Sequence, residues 1–267
     1  MKKYLVIGNP IDQKLYHKLQ KYWMKINSIT GFYEKKKINE NRLRDIVELI
    51  KKKEINRANI TIPFKNKIIP FLDKLSHEAE TTQSVNTLYI SGGDVVGHNT
   101  DIEGFELAIK FKKFDVSNKN VLILGAGGVV PSLIGALNKM KTSNIMVSNR
   151  TKVKAENLKK LFKNINIIDW GDIPNFDLVI NATSVGLKKE DKINLDFSNV
   201  GKNKFFYDII YNPNETSFLK MAEKLGNKTE NGKMMFIYQA LASFKIWHGI
   251  SPKIDDSVLK LLDQWLK

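Results

Sequence analysis

Cysteine is absent from the 267 residues, which removes disulfides, thiolate nucleophiles and zinc-thiolate centres together. Histidine is scarce: His17, His77, His98 and His248 show neither metal-ligand spacing nor an acidic helix beside them, so no metal is expected. No apolar run approaches the ~20 residues of a membrane span. The opening stretch Tyr4-Leu5-Val6-Ile7 is too short for a signal peptide and is ended by Gly8-Asn9-Pro10, so a cytoplasmic protein with no membrane partner is expected. Acidic residues are also in deficit, 28 against 43 basic ones, for a formal charge of +15. The excess is mostly lysine, spread along the chain in runs such as Lys35-Lys36-Lys37 and Lys51-Lys52-Lys53, with no aromatic-interleaved basic stripe. That distribution reads as solvated surface and not as a nucleic-acid face. A positive field of this kind still speeds the capture of anionic ligands.

What is present is enough for a substantial core: 42% of residues are hydrophobic, in a chain long enough for two modest domains. Strand and helix signals alternate. In the first hundred residues, strands are expected at 4–8, 31–36 and 57–62, with helices at 15–26 and 41–52. A short amphipathic helix is expected over 68–75, and a hairpin at 86–90 and 94–97 around Ser91-Gly92-Gly93. A helix from Asp101 to about Phe111 leads into a second alternating half, with strands at 120–124, 145–148, 165–169, 177–181 and 204–209. Residues 234–248 follow a helical pattern rich in bulky apolar side chains. There is no internal repeat, low-complexity segment or flexible linker.

The most informative segment is Val121-Leu122-Ile123-Leu124-Gly125-Ala126-Gly127-Gly128, followed some twenty residues later by Ile145-Met146-Val147-Ser148-Asn149-Arg150-Thr151. A β-forming run that ends in glycines and opens a helix is how a Rossmann unit brings a dinucleotide pyrophosphate to the N–H groups of a helix N-terminus. An acid after the second strand would accept from the ribose hydroxyl of NAD. Here that place carries Asn149-Arg150-Thr151, which suits a 2′-phosphate, so the expected cofactor is NADP. One departure follows the glycines: Val130 stands at the usual small position and Pro131 comes next. Proline in a first helical turn costs no hydrogen bond.

Three polar residues sit in contexts unusual for surface groups. Lys65 follows Asn59-Ile60-Thr61-Ile62-Pro63-Phe64, just past a buried-looking strand, where substrates gather in open α/β sheets. Asp101 closes Gly97-His98-Asn99-Thr100-Asp101. Gln239 lies within an apolar helix, where an amide must find partners or a ligand. Each also has a plain structural reading: a solvent-facing lysine, a helix-capping Asn-Thr-Asp, and a core amide bonded internally.

Taken jointly, Gly8-Asn9-Pro10-Ile11, Asn59-Ile60-Thr61-Ile62-Pro63-Phe64-Lys65, Val85-Asn86-Thr87-Leu88, Asn99-Thr100-Asp101, the glycine turn, Asn149-Arg150-Thr151, Asn181-Ala182-Thr183-Ser184, Tyr207-Asp208 and Gln239-Ala240 resemble the shikimate dehydrogenase family in order and spacing, over nearly the whole chain. The resemblance implies an α/β fold of two α/β domains with an active site in the cleft between them. Residues 1–101 plus 234–267 would form the substrate domain, with the C-terminal helices returning to it, and residues 102–233 a Rossmann-type NADP domain. It implies NADPH-dependent reduction of 3-dehydroshikimate to shikimate, on the way to chorismate and the aromatic amino acids, by a monomer or homodimer with no nucleic-acid partner.

Roles carry over by position. Lys65 and Asp101 match the catalytic pair. Asn59, Thr61, Asn86, Tyr211 and Gln239 match substrate binders. Gly125, Ala126, Gly127, Gly128, Asn149, Arg150, Thr151, Lys154, Thr183 and Gly232 match the cofactor site. One departure stands out: Lys14 and Tyr16 occupy the places of two serines that hold the substrate carboxylate, and His17 replaces a proline. Three readings stay open. Lys14 and Tyr16 bind the carboxylate as altered donors; the substrate is a related, quinate-like cyclic hydroxy acid; or the chain is a catalytically silent NADP-binding regulatory protein.

Overall fold

The computed structural model describes residues 1–11, 15–188 and 190–266. They divide into two compact units, one of residues 1–103 with 238–267, the other of residues 104–237.

The first unit is built on a six-stranded mixed sheet. β1 (Lys2–Gly8) lies between β2 (Gly31–Lys37) and β3 (Arg57–Ile60), parallel to both. β3 continues antiparallel to β5 (Thr87–Ser91), which turns through Gly92 and Gly93 into β6 (Asp94–His98). Both glycines have positive φ, as a two-residue hairpin turn of type I′ requires. β4 (Lys74–Leu75) adds to the far edge. Tyr4, Leu5, Val6 and Ile7 are all buried, because both faces of the sheet are covered and a central strand then reads as a continuous apolar run. On one face, Leu43, Ile46, Val47 and Ile50 of α2 (Leu43–Lys51) present helical spacing to Leu5, Ile7, Ala58 and Ile60. Each side chain so buried contributes roughly 1.5–3 kcal/mol. Aromatic pairs mark the rest of the packing: Trp23 of α1 (Tyr16–Ile26) meets Phe244 at 5.7 Å, and Tyr4 stacks on Trp247 at 5.7 Å.

The helix expected over 68–75 is not formed. Residues Ile69–Phe71 make one 3₁₀ turn with Pro70 in it, and the chain then extends into β4. The apolar spacing of Ile68, Ile69, Phe71, Leu72 and Leu75 imitates a helix. Asp73 breaks it by exchanging bonds with β6, its N–H donating to the Val95 carbonyl at 3.1 Å and its carboxylate accepting from the Val95 N–H at 2.9 Å. After it comes α3 (His77–Thr82), which the pattern did not reveal and which Ser76 caps through the Ala79 N–H.

The chain passes into the second unit within α4 (Asp101–Phe111) and returns within α8 (Lys233–His248); α9 (Asp256–Leu266) follows. The second unit is a six-stranded, wholly parallel sheet of β7 (Asn120–Leu124), β8 (Asn144–Ser148), β9 (Ile165–Ile168), β10 (Leu178–Asn181), β11 (Phe205–Asp208) and β12 (Lys228–Glu230). Its order is β12-β11-β10-β7-β8-β9, with α5 (Val130–Lys139) after β7, α6 (Lys152–Leu161) after β8 and α7 (Ser217–Lys224) after β11. The order reverses between β7 and β10, and the crevice beyond the carboxyl ends at such a point is where doubly wound sheets take their ligands. Phe176, Phe197, Phe206 and Phe218 pack edge to face in the core. Among the described residues no helix is long and apolar enough to cross a membrane.

Candidate active site

In the first unit, Lys65 and Asp101 form an ion pair, Lys65 Nζ donating to Asp101 Oδ2, with side chains only 14% and 8% exposed. Asn86 Nδ2 donates to the other carboxylate oxygen at 3.0 Å, so both oxygens are held and the carboxylate cannot rotate freely. Backbone bonds place each partner. The Val85 N–H donates to the Lys65 carbonyl at 2.8 Å, and the Thr100 N–H to Asn86 Oδ1 at 2.9 Å. Asn99 Oδ1 accepts from the Asp101 N–H at 3.1 Å as the chain enters α4, whose N-terminal dipole favours an acid. The capping reading of Asn99-Thr100-Asp101 and the ion pair therefore coexist.

Thr61 follows β3, and its methyl lies where a Cβ on Gly8 would stand, 2.5 Å away, so the close approach of β1 to this loop requires glycine. Asn59 is buried and committed to its neighbours. Its amide donates to Ser243 Oγ at 2.9 Å, Thr87 Oγ1 at 3.2 Å and the Asn86 carbonyl at 3.1 Å, while its oxygen accepts from the Tyr33 hydroxyl at 2.6 Å. Gln239 is also buried, in α8. Tyr16 stacks on Tyr33 at 6.4 Å, and its hydroxyl lies among Ser243, Gln20 and Asn59. Burial, with the Asp101 charge nearby, holds this phenol far above its ordinary range, so Tyr16 is a neutral donor at working pH. Lys14 lies outside the described residues.

The second unit carries the glycine turn. Gly125 has φ +115, and a Cβ there would meet the Ala182 carbonyl oxygen at 2.8 Å. Gly127 and Gly128 are exposed, and a Cβ on Gly128 would touch nothing within 4 Å. With half-buried Ala126 they form an open cradle at the start of α5. Pro131 sits in the first turn of that helix, and Val130 turns fully into the core. Beyond β8, Asn149 Nδ2 donates to the Thr151 carbonyl at 2.8 Å, while Arg150, Thr151 and Lys154 are exposed. Thr183 follows β10 and donates through its hydroxyl to Asn181 Oδ1 at 2.7 Å. Gly232 is buried with its N–H on the Ile210 carbonyl at 3.1 Å, and a Cβ there would lie 2.0 Å from the Ile209 oxygen. Tyr211 packs on Phe236 at 4.9 Å, and burial pushes its hydroxyl up to about 12. An exposed glycine turn at a helix start, with two cations past the neighbouring strand, fits a phosphorylated dinucleotide.

Family comparison agrees with this division. Residues 6–88 match the shikimate dehydrogenase substrate binding domain, and residues 106–215 match shikimate / quinate 5-dehydrogenase. The chain belongs to the shikimate dehydrogenase family. A shikimate dehydrogenase (NADP(+)) of Pelagibacter ubique is 53% identical over 98% of this chain and 99% of its own. Among solved structures, a shikimate dehydrogenase in complex with NADP+ is 30% identical with a TM-score of 0.92, over 100% of this chain and 96% of that one. The Thermus thermophilus shikimate 5-dehydrogenase, solved with NADP(H) and shikimate, is 26% identical with a TM-score of 0.89, over 100% of both chains.

Sequence reasoning did not single out Tyr33, Ser243 or Gln20, all of which surround Tyr16 and Asn59. Tyr33 read as an ordinary strand residue and Ser243 as part of an apolar helix. A tyrosine hydroxyl in a strand whose alternate residues are charged was the one available signal.

Proposed function

We propose that this shikimate dehydrogenase family member catalyses NADPH-dependent reduction of 3-dehydroshikimate to shikimate, with Lys65 and Asp101 managing the proton. Its relatives are NADP-dependent oxidoreductases throughout the chain's length, and NADP is its cofactor. NADPH, when bound, supplies the hydride. Hydride addition at the ketone carbon leaves charge on oxygen, and the Lys65 ammonium can hand that oxygen a proton. Asp101, fixed by Asn86, holds the ammonium and can accept from the substrate hydroxyl. The buried pair with its third partner is the observation that carries this reading.

The neutral phenol of Tyr16 supports its service as a carboxylate donor in place of a serine. A neutral O–H keeps its proton and can donate to an anion without adding charge to a buried cluster. On this reading Asn59 acts on substrate indirectly, by fixing Tyr33 and Ser243 around Tyr16. The replacement of a serine by Tyr16 at the carboxylate position favours a second reading, a related quinate-like acid of the same class.

Replacing Lys65 or Asp101 by alanine tests the assignment. Turnover should fall by roughly 10²-fold or more while NADPH still binds. Near-normal turnover in either variant would remove the pair from the chemistry.

A further inference from the structure

Asp208 ends β11 with no exposed surface, and burial pushes its carboxyl above the ordinary carboxylate range. Its partners in the fold are neutral donors. Oδ1 accepts from the Ile210 N–H at 3.0 Å, Oδ2 accepts from the Thr216 hydroxyl at 2.7 Å, and the Asn181 amide reaches both oxygens at 3.1 Å. An acid buried this deeply is costly, and a sheet end can be packed with apolar side chains instead. What Asp208 adds is a junction between three loops.

Through Asn181 it reaches the loop after β10. The oxygen of Asn181 accepts from the N–H and the hydroxyl of Thr183 at 3.1 and 2.7 Å, and its amide also donates to the Val185 carbonyl at 3.0 Å. The intervening Ala182 carbonyl is the group against which Gly125 of the cradle packs. Through Ile210 it reaches Gly232, whose N–H is held by the Ile210 carbonyl and whose missing Cβ makes room for Ile209. Through Thr216 it reaches the start of α7, where that hydroxyl also caps the Leu219 N–H. A Cβ on Gly186 would stand 3.2 Å from the Thr216 methyl, so this loop too closes on the same point.

We propose that Asp208 is a positioning residue for the cofactor: its carboxylate sets Thr183, the glycine turn behind Ala182, and Gly232 at the spacing that NADP needs. The proposal rests on the reading of those residues as the cofactor site. Asp208 itself touches no reacting atom.

Titration of NADPH fluorescence on folded protein tests it without any turnover. Asp208→Ala should weaken NADPH roughly tenfold or more, since several charge-assisted bonds are lost at once. Asp208→Asn keeps an oxygen toward Ile210 and offers an amide that the Thr216 hydroxyl can accept, so it should stay within about threefold of wild type. A fall in melting temperature with NADPH affinity unchanged in Asp208→Ala would overturn the proposal, because a brace that only stabilises the sheet behaves that way. Should Asp208→Ala fail to fold, Thr216→Val removes one donor at constant volume and should weaken NADPH by roughly 3–10-fold; wild-type affinity there would overturn the proposal. Arg150→Ala serves as the control. If it weakens NADPH and Asp208→Ala does not, the positioning role falls alone. If neither weakens it, the cofactor site itself has been misplaced.

Discussion

Lys65→Met keeps the side-chain stem and removes the charge that pairs with Asp101. Asp101 then remains as a buried carboxylate held by Asn86 at 3.0 Å, with its side chain 8% exposed. Leaving one member of a buried pair uncompensated costs about 3–5 kcal/mol. For a chain of this size that corresponds to a melting point lower by about 6–20 °C. Asp101→Asn leaves the opposite charge uncompensated and should destabilise similarly, less so where the 14% exposure of Lys65 admits water. The double variant Lys65→Met/Asp101→Asn removes both charges and should recover most of the stability, since neutral replacement of a buried pair is often neutral or better. Turnover should not recover with it: all three proteins should fall by roughly 10²-fold or more at saturating NADPH. Thermal melts and initial rates at 340 nm on the same preparations separate the two effects. A double variant less stable than either single one would refute the electrostatic reasoning, and a double variant with restored turnover would refute the catalytic one.

Arg150→Ala should weaken NADPH by about 10–100-fold, the scale of a bidentate charge-assisted contact, with NADH affected little and the difference shrinking as salt is added; equal losses for both cofactors would contradict the 2′-phosphate assignment. Tyr16→Phe removes only the hydroxyl and should raise the Michaelis constant for 3-dehydroshikimate roughly tenfold or more with a smaller effect on turnover. An unchanged constant would make Tyr16 a packing residue, and a large gain of shikimate activity in Tyr16→Ser would point to a different natural acid. Burial, aided by Lys2 and Arg57, lowers the His248 imidazole to about 4, below its unfolded value near 6.5. The unfolded chain therefore binds the proton first, and stability from this group is full above pH 6.5 and drains away as pH falls toward 4. His248→Gln should flatten that part of the stability profile in urea titrations; an unchanged slope would exclude the group.

The parts of the fold that were legible carry their instructions locally. β7, the glycine turn and α5 announce themselves because β-formers, a glycine cluster whose first member takes positive φ, and a first-turn proline follow one another, and α4 begins at the capping sequence that marks it. Residues 68–75 misled because apolar spacing is shared by a helix and by a turn entering a strand, and the deciding bonds run from Asp73 to Val95 across the sheet. The site divides the same way. Lys65, Asp101 and Asn86 sit in recognisable motifs, although nothing local says that Asn86 holds Asp101. The network of Asn59 with Tyr33 and Ser243 joins residues far apart in the chain, so neither periodicity nor spacing could reveal it. Asp208 lay within a familiar motif, and its purpose emerged only from the loops that converge on it.

The most direct measurement is the oxidation of NADPH at 340 nm by the wild-type protein with 3-dehydroshikimate, run beside NADH and beside a 3-dehydroquinate control. Loss of NADPH in step with formation of shikimate, faster than with NADH or with the control acid, is the expected result. NADPH binding without any turnover of 3-dehydroshikimate would contradict the assignment and leave the silent NADP-binding protein as the better description.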